Sequence, residues 1–355
     1  MFTKPHNITY TFFDVGGGDA IWIRFFGTDQ NWHNILIDGG YGYAYKQAFG
    51  PLLYQLVTAG EKIDLWIISH IDRDHIGAIL GFMQDKKIKN KILAIKEFWF
   101  NHSEQIVDIP DGKLAVGDGI KFRNYLIDNG LLTRETITTS LPAADFFGLK
   151  LTILSPTQEK QEIASKLWDA EEKISKLGRS VSDADHYKTI EELQDIIFTS
   201  DDDPVNGSSI ALLTEYKGLN AVLLADSHPA DIVNSLSSLG YSNEKPLKAV
   251  FMQLAHHGSK ANTSPALLKI INTNDFVITG NGIHNRHPDK ETLVRLLVQE
   301  NRNETPLHFY FVCDTKELSN MFAADHHPFE HYNFTCTYGG KNKNGLSFPY
   351  LPLND

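Results

Sequence analysis

Apolar positions along the chain gather into short runs of aromatic and β-branched residues, and most of these runs close on a polar or glycine-rich stretch. Ile8-Thr9-Tyr10-Thr11-Phe12-Phe13 and Ala20-Ile21-Trp22-Ile23-Arg24-Phe25-Phe26 predict paired strands connected through Gly16-Gly17-Gly18. Asn34-Ile35-Leu36-Ile37-Asp38-Gly39-Gly40 predicts a further strand ending in an acid and two glycines. Residues 41–62 carry helical periodicity, 63–68 predict a buried strand, and a helix follows through about Lys86. Strands are expected again near 94–100 and 149–154.

Residues 157–205 have a different character. They are highly charged, read as helical over 158–176, and include Ser200-Asp201-Asp202-Asp203-Pro204, so they predict a charged helical insertion. Beyond it the earlier grammar returns. Apolar runs at 210–216, 221–225, 250–254 and 275–279 predict strands, three of which lead to Asp226, His256-His257-Gly258-Ser259 and Gly280-Asn281-Gly282. Helices are expected at 265–271 and 290–300, and a terminal strand pair at 307–312 and 332–337. Several strands opening into polar loops imply that those loops converge on one edge, with helices covering the sheets.

The 355 residues, 42% of them hydrophobic, suffice for a substantial core. We expect a single domain over 1–355, with the insertion at about 157–205 and a C-terminal extension at about 305–355. No apolar stretch approaches the roughly 18–20 residues that span a bilayer, and Met1-Phe2-Thr3-Lys4-Pro5-His6 lacks a basic-then-apolar signal, so a cytoplasmic protein without membrane insertion is expected. Two cysteines, Cys313 and Cys336, do not make a disulfide framework and suit a reducing compartment. The net charge of -11 excludes a generally basic, nucleic-acid-coating surface. A polyanionic substrate would need a local positive site or a partner.

The candidate chemistry lies at the strand ends. His70-Ile71-Asp72-Arg73-Asp74-His75 packs two imidazoles and two carboxylates into six residues, and a compact loop can aim such side chains at metal ions. The competing reading is a polar loop whose Asp74 caps the next helix. Asp226 could bridge two ions or close a strand-end turn. His256 and His257 supply a second imidazole pair, and His284, His287 and Pro288 form a third group. His228, Asn101 and His102 read equally well as substrate contacts or as ordinary surface residues.

These motifs together resemble the metallo-β-lactamase fold superfamily, and most closely the soluble hydrolase domain of ComEC-type DNA-uptake proteins. The resemblance runs from Phe13-Asp14-Val15-Gly16-Gly17-Gly18-Asp19-Ala20 through Leu36-Ile37-Asp38-Gly39-Gly40 and the His70 motif. It resumes at Asn206-Gly207-Ser208-Ser209-Ile210, Leu224-Ala225-Asp226 and His256-His257-Gly258-Ser259, spanning roughly residues 8–300. It implies an α/β fold, an αββα sandwich of two mixed β-sheets covered by helices. It also implies that His70, Asp74 and His75 are metal ligands, Asp226 the bridging carboxylate, and His256 or His257 the late histidine. Asp72 stands where the general pattern has a second histidine, as it often does in the ComEC-like branch, and joins the candidate metal set. Asn206 is the nearest match to a histidine found before the bridging acid in other branches. Gly17 stands where ComEC-like chains commonly have glutamine, and Ala225-Asp226-Ser227-His228 replaces a glycine-acid-alanine run.

One or two divalent ions are implied, zinc or manganese foremost and magnesium also admissible, because hard ions favour carboxylate oxygens. The leading expectation is a metal-dependent phosphodiesterase or nuclease acting on DNA or another nucleic acid through metal-activated hydroxide. Asp72 or Asp74 would orient the attacking water, and His287 would be catalytic or face the substrate. Arg73, Lys260 and Arg286 would give local positive potential, with Asn206, Ser208 and Ser259 as further substrate contacts. The alternatives are hydrolysis of a thioester, lactone, β-lactam or small cyclic nucleotide, or a degenerate non-catalytic interaction module. A separately encoded protein partner is a further expectation.

Overall fold

A computed structural model describes residues 7–88, 91–103, 115–132, 135–169, 185–300, 302, 304–340 and 345–351. In chain order its strands are β1 (Ile8–Phe13), β2 (Ala20–Phe26), β3 (Trp32–Asp38), β4 (Leu65–Ile68), β5 (Phe98–Phe100), β6 (Ala144–Phe146), β7 (Leu149–Ser155) and β8 (Ala211–Tyr216). They continue as β9 (Leu219–Leu223), β10 (Leu247–Lys248), β11 (Phe251–Gln253), β12 (Ile271–Asn272), β13 (Asp275–Ile278), β14 (Leu307–Phe311), β15 (Phe334–Tyr338) and β16 (Gly345–Tyr350). One sheet has the order β16-β1-β2-β3-β4-β5, the other β15-β14-β13-β11-β9-β8-β7-β6, and β10 pairs with β12 apart from both.

Period-2 alternation decides which side chains meet between the sheets. Ile8, Tyr10 and Phe12 of β1 and Ile21, Ile23 and Phe25 of β2 turn inward against Leu212, Tyr216, Leu223 and Phe251 of the other sheet. Phe251 stands edge-on to Tyr10 at 5.1 Å and to Phe12 at 5.7 Å, and burying such a ring contributes about 2–3 kcal/mol. The Tyr10 hydroxyl, which burial holds above its usual range, bonds Thr214 Oγ1 across the interface at 2.8 Å. The outer faces carry helices. Helices Gly50–Thr58, Arg73–Gln84 and Ala115–Asp128 cover the first sheet around Trp66, which is fully buried against Phe49, Phe82 and Phe98. Pro229–Ser238, Pro265–Ile270 and Lys290–Leu297 cover the second. The layers are therefore helix, sheet, sheet, helix, as the resemblance implied.

Strand direction then places the chemistry. β3, β4 and β5 run parallel, and β9, β11, β13, β14 and β15 form a second parallel set. β1 pairs antiparallel with β2 and β2 with β3, so β1 shares the direction of β3. The carboxyl ends of these strands open into loops along one edge, the usual place for a site in a sheet of this kind. The Ile210 N–H donates to Ser69 O across that edge at 3.0 Å and joins the sheets there.

Most predicted strands and helices occur within a residue or two of their expected bounds. The helix expected over 158–176 runs Gln158–Asp169, and residues 170–184 lie outside the described residues. Beyond 305, β14 and β15 pair in parallel on the second sheet, whereas the unpredicted β16 returns to pair with β1. The helices Ala115–Asp128 and Pro229–Ser238 were also unpredicted. The first carries Gly117 and Gly119 in a weak apolar pattern, and the second begins at a proline directly after His228. No helix among the described residues is long and apolar enough to cross a membrane.

Candidate metal centre

β3 ends on Asp38, whose positive φ of 55° turns its carboxylate back under β4. Asp38 Oδ1 accepts from Ser69 N–H at 2.7 Å, and Oδ2 accepts from Ser69 Oγ at 2.7 Å and lies 2.8 Å from His75 Nδ1. After β4 the chain passes His70 and Asp72 in extended backbone and enters the helix Arg73–Gln84 with Asp74 and His75 in its first turn. No Asp72 side-chain cap bond forms, although its carbonyl accepts from the His75 and Ile76 N–H groups at 2.9 Å. Asp74 at a helix N-terminus is favoured by the helix dipole. The motif is thus half loop, half helix, and it sends all four side chains into the cleft edge.

Two further strand ends complete the cluster. Ala225, with φ 45°, directs the buried Asp226 inward. His256 and His257 both adopt left-handed backbone, φ 49° and 57°, a strained pair that splays their rings. Around Asp226 Oδ1 stand His75 Nε2 at 3.3 Å and His257 Nε2 at 3.7 Å, while His75 Nε2 lies 3.3 Å from His257 Nε2 and Asp74 Oδ2 3.2 Å from it. Ligand atoms about 2.0–2.2 Å from one tetrahedral ion stand about 3.3–3.6 Å apart, a spacing that His75 Nε2, His257 Nε2 and Asp226 Oδ1 approach at 3.3–3.7 Å from one another. Asp226 Oδ2 faces a different pair, His70 Nε2 and His256 Nε2, each at 3.6 Å, and Asp72 Oδ2 lies 3.8 Å from His70 Nε2.

The donor set fits a divalent cation on its own chemistry. His70 Nε2 and Asp226 Oδ1 are buried with no hydrogen-bond partner among the described residues, a costly state that an ion relieves. Burial alone would raise the Asp226 and Asp74 carboxyls, yet the surrounding imidazoles hold both well below the usual range. Burial alone would lower His257, but Asp226, Asp19 and Asp74 push it up to about 10, and Asp226 with Asp38 raises His75. Carboxylates dominate the field, which is the condition for attracting a cation.

Residues outside the predicted set hold the ligands. Asp19 Oδ1 and Thr279 Oγ1 lie 3.4 and 3.0 Å from His257 Nδ1, the ring nitrogen turned away from Asp226. Asp19 thus clusters with His75, Asp226 and His257 within 4.8 Å, and its Oδ1 is buried without a hydrogen-bond partner among the described residues, so it could itself hold an ion as well as orient the imidazole, while Asp74 Oδ2 approaches His257 Nε2 at 3.2 Å. Asp201 lies 3.6 Å from His256 Nδ1, and is itself held by Asn206 Nδ2 at 2.8 Å and Asn262 Nδ2 at 3.1 Å. Carboxylates behind histidine ligands fix the tautomer and ring orientation. Asp19 and Asp38 sat inside motifs quoted above, whereas nothing in the charged run 200–203 distinguished Asp201.

The remaining predicted residues scatter. His287 is buried with its ring 5.0 Å from that of His256 and Nδ1 3.3 Å from Asp289, at the mouth on the Asp226 Oδ2 side. Arg73 Nε is 3.7 Å from Asp118, Lys260 Nζ 3.9 Å from Glu291, and Arg286 is exposed on the loop after β13. Ser208 Oγ donates to Val205 O and Ser259 Oγ accepts from the Ala261 N–H, while the neighbouring Ser209 Oγ lies 3.2 Å from His70 Nδ1. His228 stands behind Asp201, 2.6 Å from Lys160 Nζ, and Asn101 clamps the backbone of Ile137.

The fold is an α/β sandwich of the metallo-β-lactamase type, and its strand-end edge carries a His/Asp cluster suited to a divalent ion. The sequence family described as the Metallo-beta-lactamase superfamily matches residues 14–151, the part of the chain that carries Asp19, Asp38 and the His70 motif. Among solved structures the chain is similar to CmlA, a diiron beta-hydroxylase from Streptomyces venezuelae, at 11% identity and TM-score 0.42 over 98% of this chain and 55% of that one. It is also similar to a Parabacteroides distasonis ATCC 8503 protein named provisionally as a metal-dependent hydrolase, at 10% identity and TM-score 0.33 over 76% and 80% of the two chains. A protein of unknown function from Enterococcus faecalis V583 shares 12% identity and TM-score 0.30 over 89% and 62%. No curated protein matches the chain.

Proposed function

We propose that the chain is a phosphodiesterase or nuclease of the ComEC-like kind, with two divalent-ion positions bridged by Asp226. The observation that carries this reading is the division of Asp226: Oδ1 faces His75 and His257, and Oδ2 faces His70 and His256. Paired ions at such a bridge, when bound, acidify water and stabilise the oxygens of an in-line displacement at phosphorus. Asp74, His75 and His257 would hold one ion, and His70, His256 and Asp72 the other. Zinc or manganese suits the imidazole-rich set, and the four carboxylates of the wider cluster favour the harder ion.

The chain's own residues supply the rest. Asp38, Asp19 and Asp201 fix the imidazoles, so the ligand geometry is set before substrate arrives. Asp72, 3.8 Å from His70 Nε2, would orient the attacking water if it does not itself bind the ion. His287, beside His256 and lowered by burial before Asp289 offsets it, is available in its neutral form near the leaving group. Arg73, although beside Asp118, and the exposed Arg286 would supply the local positive charge that the acidic whole lacks.

The test is a screen of metal-replete protein against linear duplex DNA, single-stranded DNA, RNA, small phosphodiesters, and a panel of thioesters, lactones and β-lactams. Phosphodiester cleavage that disappears in Asp226→Ala supports the reading. Turnover confined to the ester panel in every metal overturns it, and a folded protein that takes up no metal from manganese or zinc overturns the hydrolase assignment as well.

A further inference from the structure

Beside the metal centre three aromatic rings lie in series on the rim. Tyr41 and Tyr43 stack with centroids 5.8 Å apart and planes 11° apart, and the His284 ring lies 5.4 Å from Tyr41, tilted by 49°. Tyr43 is 50% exposed, His284 is exposed, and Ile283 next to it is 55% exposed.

The ledge is held in place. The Tyr43 hydroxyl donates to Val15 O at 2.8 Å and lies so close over Gly16 that a Cβ at that position would collide with it. Asn281 Oδ1 accepts from the Ile283 and His284 N–H groups at 2.8 and 2.9 Å, and its Nδ2 donates to Gly16 O. The glycine loop therefore clasps both sides of the ledge.

The ledge is also continuous with the centre along two routes. Gly16 touches Tyr43 while Gly18, two residues on, touches Asp74. The loop that presents His284 beside Tyr41 presents His287 beside His256, and three residues of chain reach at most about 10 Å. The ledge and the metal centre therefore share the glycine loop and the loop after β13.

We propose that Tyr41, Tyr43 and His284 form a stacking platform for an unpaired base, so that the site takes single-stranded nucleic acid or a frayed end in preference to duplex. This rests on the phosphodiester reading above. The charge of the chain selects between strand states. Duplex binders draw their affinity from many phosphate contacts, which a protein of net charge -11 does not offer at large. Stacking needs no such charge, and every base has a face to stack. Paired bases in a duplex have no free face to give the ledge.

The experiment measures binding by metal-free protein, so that no cleavage intervenes, of a fluorescent single-stranded oligonucleotide, its abasic counterpart of equal length, and the matching duplex. Wild type should bind the base-bearing strand about ten-fold more tightly than the abasic one. Tyr43→Ala and Tyr41→Ala should lower affinity for the base-bearing strand toward the abasic level with little effect on the abasic strand itself. Tyr43→Phe, which keeps the ring, should restore most of it. Thermal midpoint and metal content should match wild type in all three variants, separating loss of a surface from loss of fold. Equal affinity for base-bearing and abasic strands, or a preference for duplex, overturns the platform while cleavage of methyl p-nitrophenyl phosphate by loaded wild type still upholds the phosphodiester reading. Absence of cleavage of any phosphodiester overturns that reading, and the platform falls with it.

Discussion

His256 and His257 are neighbours in the chain, yet their rings address opposite oxygens of Asp226: His256 Nε2 lies 3.6 Å from Oδ2, and His257 Nε2 lies 3.7 Å from Oδ1. Two consecutive left-handed residues produce the split, because in extended or helical backbone adjacent side chains would not straddle one carboxylate. In the two-ion arrangement proposed above, the pair would divide between the two positions. Metal analysis after loading with manganese or zinc should find two ions per wild-type chain and about one in His256→Ala. In His257→Ala the ion beside His75 should be lost and turnover should drop at least about a hundred-fold. Equal stoichiometry in wild type and His256→Ala would remove His256 from the ligand set.

Asp38 reaches the centre only through His75, 2.8 Å from its Nδ1, and through Ser69. Asp38→Asn keeps the shape but removes the charge that fixes the His75 tautomer. Metal affinity, measured by competition with a chromophoric chelator, should fall about 10- to 100-fold, and the metal-free protein should lose about 1–3 kcal/mol in denaturant unfolding. An affinity within about two-fold of wild type would mean that Ser69 alone orients the ring.

Gly18 lies at φ 110° with the space for a Cβ already filled by Asp74, its backbone carbonyl above all. Gly18→Ala must shift the first turn of the helix that carries Asp74 and His75, whereas Gly60→Ala meets nothing within 4 Å. Both substitutions strain a positive φ, so the comparison isolates the contact with Asp74. Gly18→Ala should weaken metal binding at least about ten-fold, with Gly60→Ala indistinguishable from wild type. Isothermal titration with manganese distinguishes them, and equal affinities would show that loop 16–18 does not brace the centre.

Much of this arrangement was legible in the sequence because it is local. His70, Asp72, Asp74 and His75 lie within six residues, so strand-then-helix periodicity around them was enough to aim them, and apolar runs located the strands that deliver Asp226 and His256-His257. What could not be read depends on distant pairing. Asp201 meets His256 from a charged run with no pattern of its own, and Asp19 meets His257 only once the two sheets close. Ser208 was chosen over Ser209, although one residue decides which hydroxyl caps a short helix and which reaches His70. β16 escaped because its partner, β1, lies at the opposite end of the chain.

The charged cluster fixes how stability should respond to pH when no metal is bound. His257 is pushed up to about 10 by Asp226, Asp19 and Asp74 against its burial, so it keeps its proton in the metal-free fold at neutral pH, and Asp226 with Asp38 raises His75. A group whose pKa is higher folded than unfolded stabilises the fold fully below its unfolded value, about 6.5, and loses that contribution as pH rises through its folded value. Asp226 and Asp74, held low, contribute above the ordinary carboxylate range and lose their share only in acid. Metal-free protein should therefore lose several degrees of thermal midpoint between about pH 6.5 and 10, on the order of a few kcal/mol. Metal-loaded protein binds neutral imidazoles and should hold its midpoint across the same window. Calorimetry of both forms at matched ionic strength checks this. A parallel decline in the two forms would assign the loss to general repulsion in a chain of net charge -11 rather than to the centre.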